Sequence, residues 1–324
     1  MRRDELKALM VGPIATVPTP FDDDFEVDHR KMGDLTQWWV EQGLVKGRAV
    51  IKVAAAMGEG PQLRDEEWPA LLRTTVQAAD DKAAIVCGLH YKDTIRTIED
   101  AKRAQDMGAV GLQISPPSLN GPTQDDIVRH FSDVSDAIDI GILVYITNGM
   151  PGGSIYPETF RRMVDFERVV AIKWSVPPGY KNEDIYELKD VFNIIDNTGH
   201  PILNHQMGGT GYINHTVEAH PAHDLKIWDL MESGKYDEAQ ALYQPHEDQW
   251  REFAGKIGKR TGGQAVVKKG MMAIMGWPVG ASRPPSLPLT SGELAELYDI
   301  MDGWGWPVAT RENVLGVAAP VAAD

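Results

Sequence analysis

Lys173 closes the apolar run Val169-Val170-Ala171-Ile172 and is followed by Trp174. An ammonium group delivered by four apolar residues into a dry interior is poorly solvated. It releases its proton more readily, and as a free amine it attacks a carbonyl carbon. A lysine ending an apolar run also fits a surface side chain that snorkels to water, so the run alone leaves both readings open. Tyr145 ends the run Ile142-Leu143-Val144 one strand earlier, and a phenol beside a Schiff base can carry protons to and from the carbinolamine. Its plainer reading is a rim aromatic whose hydroxyl finds a partner. His90, in Gly88-Leu89-His90-Tyr91, has a side chain suited to acid or base work near neutrality, or to hydrogen bonding within a loop.

These groups can act together only if the fold brings them to one place. From Gly12 to about His215 short apolar runs alternate with amphipathic stretches, the pattern of βα units around a parallel sheet. The spacing predicts strands over Ile14 to Val17, Ala49 to Val53, Ala84 to Cys87, Gly111 to Ile114, Gly141 to Tyr145, Val169 to Lys173, Asn193 to Ile195 and Gly211 to Asn214. Eight is the number that closes a barrel. Helical patterns fall between them, among them Asp65 to Ala79, Thr94 to Met107, Gln124 to Ala137 and Asn182 to Val191. After Pro221 helix follows helix, so the expected organisation is a (β/α)8 TIM barrel over residues 1–220 and a C-terminal helical region and tail over 221–324. Chemistry in such a barrel gathers at the C-terminal strand ends. That rule sends Tyr145, Lys173, His90, Asn197 and the stretch Ala56-Met57-Gly58-Glu59 to one mouth, with Asn204, His205 and His215 near the last two strand ends.

Composition narrows the partners. Hydrophobic residues are 43% and charged residues 24% of 324, ordinary for a globular domain. A formal net charge of -15 argues against nucleic acid or an anionic membrane surface, which require a basic patch. A single cysteine, Cys87, leaves no disulfide framework, and the His and Cys spacing shows no zinc pattern. Without a signal-like start or a long apolar run, the expectation is a cytoplasmic protein.

The residues also carry a resemblance. Gly12 with Thr19-Pro20-Phe21, Met57-Gly58-Glu59 with Leu63, Gly88, Gly108-Ala109-Val110-Gly111, Pro116-Pro117, Tyr145, Pro157-Glu158-Thr159, Ile172-Lys173 and Gly208-Gly209-Thr210-Gly211 follow one another in a recognisable order and spacing. In these the chain resembles the dihydrodipicolinate synthase and N-acetylneuraminate lyase superfamily, over roughly Val11 to Gly280. The resemblance implies class I aldolase chemistry in a (β/α)8 barrel, with no metal or dissociable cofactor and usually a homo-oligomer, tetramer or dimer. Lys173 matches the lysine that forms a Schiff base with a 2-oxo acid, commonly pyruvate, and Tyr145 matches the tyrosine that relays protons.

The departures bear on the substrate. The second-strand motif usually reads Gly-Thr-Thr-Gly-Glu or Gly-Ser-Thr-Gly-Glu, whose hydroxyls the resemblance assigns to the oxo acid's carboxylate and to the proton relay, and here it is Ala55-Ala56-Met57-Gly58-Glu59. The tyrosine pair after strand four is Ser118-Leu119, and the arginine after strand five is Met150. Burying a second substrate carboxylate without partners is costly, so dihydrodipicolinate synthesis is the activity this chain fits least. Ala56, Met57, Gly58, His90, Leu119, Asn148, Met150, Trp174 and Gly211 are expected to line the substrate. Trp174 could equally turn outward beneath a helix. A partial likeness to hydratase-aldolases implies a 2-oxo acid joined to a bulky, apolar or aromatic aldehyde. A dehydratase of 2-keto-3-deoxy sugar acids, or a protein using a non-pyruvyl carbonyl, is the alternative.

Overall fold

In the computed structural model, which describes residues 1–117, 119–147 and 153–316, eight parallel strands close on themselves in chain order. They are β1 (Gly12–Thr16), β2 (Val50–Val53), β3 (Ala84–Leu89), β4 (Gly111–Ile114), β5 (Gly141–Tyr145), β6 (Val169–Trp174), β7 (Asn193–Asp196) and β8 (Gly211–Ile213). A helix α1 (Arg3–Ala8) closes the N-terminal end, and helices cover the sides: α2 (His29–Glu41), α3 (Glu67–Ala79), α4 (Thr94–Asp106), α5 (Gln124–Ala137), α6 (Pro157–Arg161), a 3-10 helix (Asn182–Leu188), α7 (Pro201–Gln206) and α8 (Pro221–Glu232). The chain then continues through α9 (Tyr236–Gly258), α10 (Ala265–Ile274), α11 (Ser291–Gly303) and α12 (Arg311–Leu315). The fold is a (β/α)8 barrel. Ser118, Asn148 and Met150 lie outside the described residues.

Local chemistry starts and stops these elements. Thr123 caps α5 by accepting from Asp126 N at 3.2 Å, while the Asp126 carboxylate accepts from Thr123 N at 2.9 Å, satisfying two end donors at once. Asp93 caps α4 through Arg96 N at 3.0 Å. Asp80, in the left-handed region, ends α3. The segment expected as a helix from Asn182 to Val191 is a 3-10 helix over Asn182–Leu188. Its three-residue turn sets Ile185 and Leu188 one above the other, both buried.

Each strand presents alternate residues to the two sides. Ile51, Val53, Ile85, Cys87, Leu112, Ile114, Ile142, Val144, Ile172 and Ile194 join the layer under the helices, with Leu35, Trp39, Leu72, Phe131 and Phe160. Ile14, Val50, Ala84, Val86, Leu143, Ala171 and Ile195 point inward. An irregularity in the pairing of β5 with β6, opposite Val170, turns Val170 inward as well.

The helix α1 was not anticipated from the sequence, because six residues carry too short a pattern to read. Leu6 and Met10 complete the interior cluster at the N-terminal end of the strands. Asn193 Nδ2 donates to the carbonyls of Lys7 and Met10 at 2.8 and 2.9 Å, tying this plug to β7. The sequence boundary after residue 220 also falls one helix early. The helix α8 packs on β1 and is the barrel's eighth covering helix, and residues of α9, α10 and α11 share one core with the strands.

Replacing Met10 with alanine removes the floor of the barrel, and chemical denaturation is expected to show a loss of about 2–5 kcal/mol, as for buried Met→Ala changes. A Cβ on Gly111 would come within 1.9 Å of Met10 Cε. Gly111→Ala is therefore expected to destabilise the wild type more than it destabilises the Met10→Ala background.

Candidate active site

Register places the chemical groups. Tyr145 on β5 pairs with Lys173 on β6. In a barrel of this shear neighbouring strands step by roughly one residue each. The observed pairings then set Lys52 of β2, Gln113 of β4, Lys173 of β6 and Ile213 of β8 in one inward layer. Thr16, Gly88 and Tyr145, from the odd strands, form the layer above.

Lys173 is 6% exposed, which excludes the snorkelling reading. Its Nζ donates to Thr147 Oγ1 at 3.1 Å and sits 4.4 Å from the Tyr145 ring centroid. Burial pushes its pKa down from 10.5 to about 7, with no charged neighbour needed. The Tyr145 hydroxyl bonds to Thr147 and Tyr91. Burial raises the pKa of Tyr145, and burial followed by the charge and hydrogen bond of Tyr145 raises that of Tyr91 to about 12. Both phenols are thus neutral donors at physiological pH. The chain Lys173–Thr147–Tyr145–Tyr91 supplies hydroxyls that Ala56 and Met57 cannot. The sequence reading missed Thr147 and Tyr91, although they stand two residues after Tyr145 and directly after His90.

The loop after β2 forms the facing rim. Ala54 has φ 51° and Glu59 φ 66°, around a 3-10 turn at Ala56–Gly58. Gly88 lets this backbone approach β3, since a Cβ there would lie 2.6 Å from the Ala54 carbonyl oxygen. Thr19 Oγ1 donates to Gly58 O at 2.6 Å, and Glu59 forms a buried ion pair with Lys269 at 2.9 Å. Glu59 therefore supports the loop, and Met57 packs into the barrel interior beside Ile213.

Several expected contacts lie elsewhere. Trp174 is fully buried on the outer face, in the layer under the helices, with its Nε1 donating to Asn182 Oδ1 at 3.0 Å. Strand alternation sends it away from the interior that Lys173 faces. Gly211 opens β8, below the mouth, where a Cβ would come within 2.6 Å of the Gly12 carbonyl oxygen. It is a strand-packing glycine, without a substrate-facing side chain. Leu119 is 52% exposed on the loop after β4. Asn204 and His205 belong to α7: Asn204 Nδ2 braces Ile194 and Gly211 carbonyls at 3.3 and 2.9 Å, and His205 contacts Glu232 and Tyr236 at 2.9 and 3.2 Å. His215 stacks on Trp250 at 3.6 Å.

His90 does reach the mouth, 4.9 Å from the Tyr145 ring. Burial first, then the charges of Lys52, Lys173 and Lys92, push its pKa down to about 3. It is therefore a neutral imidazole, and the expected acid–base range near neutrality does not hold. Gln113 orders it: Gln113 Oε1 accepts from Lys52 at 2.6 Å, which turns Nε2 toward His90 Nε2 at 3.4 Å. The amide can only donate there, so the imidazole proton resides on Nδ1.

Comparison with known proteins agrees with this architecture. The family profile described as the dihydrodipicolinate synthetase family matches residues 10–303. The chain belongs to that family. Members of the dihydrodipicolinate synthetase family similar to it include the 4-hydroxy-tetrahydrodipicolinate synthase of Heliobacterium modesticaldum, 28% identical across 93% of this chain and 98% of that protein. The synthase of Acidothermus cellulolyticus is 28% identical across 90% and 92%. Solved structures share the fold. Dihydrodipicolinate synthase from Thermotoga maritima has a TM-score of 0.81 at 23% identity, covering 92% of this chain and 99% of its own. A prophage protein of the dihydrodipicolinic acid synthase family from E. coli K12, in complex with pyruvate, has a TM-score of 0.82 at 20% identity, covering 92% and 99%. As a member of this family, the chain is a lyase.

The depressed pKa sets a pH dependence. Above about 7 the folded protein releases the Lys173 proton, while the unfolded chain keeps it to near 10.5. The unfolded state binds more protons between these values, so this group makes stability rise with pH across that window. Acylation of Lys173, followed by peptide mass spectrometry, is expected to accelerate with a midpoint near pH 7, whereas exposed lysines respond near their ordinary value.

Proposed function

We propose that this protein is a Schiff-base lyase that joins or separates a 2-oxo acid, with pyruvate as the preferred member, and a bulky, apolar or aromatic aldehyde. The observation that carries this reading is the buried Lys173 amine, its pKa pushed down to about 7 by burial, against the hydroxyl chain of Thr147 and Tyr145. In the cleavage direction Lys173 Nζ adds to the C2 carbonyl of a 4-hydroxy-2-oxo acid. Tyr145 protonates the carbinolamine hydroxyl, which leaves as water and gives the iminium. The C3–C4 electron pair then flows into the iminium as the phenolate takes the C4 hydroxyl proton, releasing the aldehyde and leaving an enamine. Tyr145 returns that proton to C3, water adds to the iminium, and the carbinolamine collapses to the 2-oxo acid and free Lys173. Hydratase-aldolase chemistry would precede this sequence with addition of water across a 3,4-double bond.

The pyruvate complex of the E. coli family member supports pyruvate as the 2-oxo acid. The apolar Met57, at the interior end of the β2 loop, supports an apolar aldehyde. The synthase activity named for the curated relatives is disfavoured because Ser118-Leu119 and Met150 stand where the resemblance places a tyrosine pair and the arginine for a second substrate carboxylate. A 2-keto-3-deoxy sugar acid needs several hydroxyl contacts, and Asn204 and His205 face away from the mouth, which leaves that dehydratase as the weaker reading.

Borohydride reduction in the presence of pyruvate is expected to add the mass of a reduced pyruvyl group to the peptide carrying Lys173. No adduct with any 2-oxo acid would sink the proposal. Tyr145→Phe is expected to retain some trapping while turnover falls about 10²–10⁴-fold, the usual contribution of a positioned proton carrier. In a substrate panel, benzylidenepyruvates should be cleaved faster than keto-deoxy acids, and the reverse order would favour the dehydratase.

A further inference from the structure

The barrel holds a second amine that neither strand pattern nor family resemblance brought forward. Lys52 is 1% exposed in the middle of the apolar strand β2. Register sets it in the layer of Lys173, on the opposite wall, since β2 and β6 lie four strands apart in a ring of eight. A lysine placed there is costly unless its charge is used. Its one hydrogen bond among the described residues goes to a neutral group, Gln113 Oε1 at 2.6 Å.

Among the described residues no carboxylate is left to serve Lys52 as a counter-ion. Glu218 is the carboxylate it feels, but Glu218 is bonded to Lys268, both fully buried. Burial first, and then repulsion from Lys173 and Lys268, lower the pKa of Lys52. Among the described residues no free carboxylate neutralises the amines of Lys52 and Lys173 and each holds its proton weakly, so an anion that enters this dry space supplies the counter-charge that keeps Lys52 protonated. A 2-oxo acid carries its carboxylate on the carbon next to the carbonyl that Lys173 attacks. The hydroxyls of the second-strand motif, which the family resemblance assigns to that carboxylate, are absent here, and Ala56 and Met57 occupy their places.

We propose that Lys52 is the carboxylate-recognising residue of this site, its ammonium held by Gln113 and paired with the carboxylate of the 2-oxo acid bound at Lys173. This inference rests on the Schiff-base reading given above. Lys52 thereby determines substrate choice: it favours anionic 2-oxo acids over neutral ketones, while Lys173 remains the nucleophile. Gln113 positions Lys52 and, through its other end, His90.

The test compares pyruvate with pyruvamide, its neutral isostere, in borohydride trapping at Lys173 by the wild type, Lys52→Met and Lys52→Arg. The wild type is expected to trap pyruvate at far lower concentration than pyruvamide. In Lys52→Met the half-saturating pyruvate concentration should rise roughly 30-fold or more, as for removal of one partner of a buried charge pair, with pyruvamide nearly unchanged. Lys52→Arg should recover part of the preference, a rescue that a merely structural lysine would not show in this ratio. Equal trapping of both compounds by the wild type overturns the inference without any variant, so a Lys52→Met protein that failed to fold would not shield it. An undiminished pyruvate preference in Lys52→Met overturns it while leaving the Schiff-base reading intact. An adduct on Lys52 also overturns it, by making Lys52 the nucleophile. If the wild type forms no adduct with either compound, the Schiff-base reading itself fails.

Discussion

Closing eight parallel strands into a barrel makes each strand lean, and the lean steps every neighbour by about one residue. Alternation along each strand decides which side chains end up under the helices, and the stagger decides which inward ones share a layer. Alternation turns Lys173 inward and Trp174 outward from adjacent positions of β6, while the stagger decides what Lys173 meets across the ring. The stagger also lifts Tyr145 above the lysine, where the phenol ring lies against the amine, and carries Lys52 from the far side of the ring to the same level. The floor contributed by Leu6 and Met10 and the apolar layer of Ile14, Val86, Leu143 and Ile195 keep the space beneath dry.

Dryness gives these amines their chemistry. Water stabilises an ammonium far better than aliphatic walls do, so a lysine brought inside without a carboxylate holds its proton weakly. The protein contains the contrasting case a short distance away: Lys268 is equally buried but bonded to Glu218, and that pair has a structural character. Among the described residues Lys173 has a hydroxyl partner and Lys52 an amide, and neither has a carboxylate. An amine meant to attack a carbonyl must not be neutralised by a permanent counter-ion, and one meant to recognise a carboxylate must leave room for it.

Much of the fold was legible because the strands are covered on both sides and therefore read as short apolar runs between helical patterns. Gly111 to Ile114 and Gly141 to Tyr145 agree to the residue. Lys173 and Tyr145 were legible because each ends such a run, where a barrel gathers its chemistry. Lys52 was hidden for the same reason: between Ile51 and Val53 it looks like an interruption of an apolar run, and nothing local says that it faces inward toward another lysine. Thr147 and Tyr91 were hidden because loop residues take their direction from contacts distant in sequence. The α1 plug is too short to show a period, and the role of α8 in the barrel shows only where it meets β1.

The amino-acid sequence by itself determined the class of architecture, the family, and the identity of a lysine and a tyrosine at adjoining strand ends, since these depend on composition, alternation and spacing along the chain. Tertiary structure decided which polar groups meet. Strand alternation turned Trp174 away from the site, the start of β8 left Gly211 below it, helix placement removed Asn204 and His205, and closure of the ring brought Lys52 and Gln113 to the level of Lys173. Those outcomes depend on distances across the barrel, and such distances arise only when the eighth strand pairs with the first.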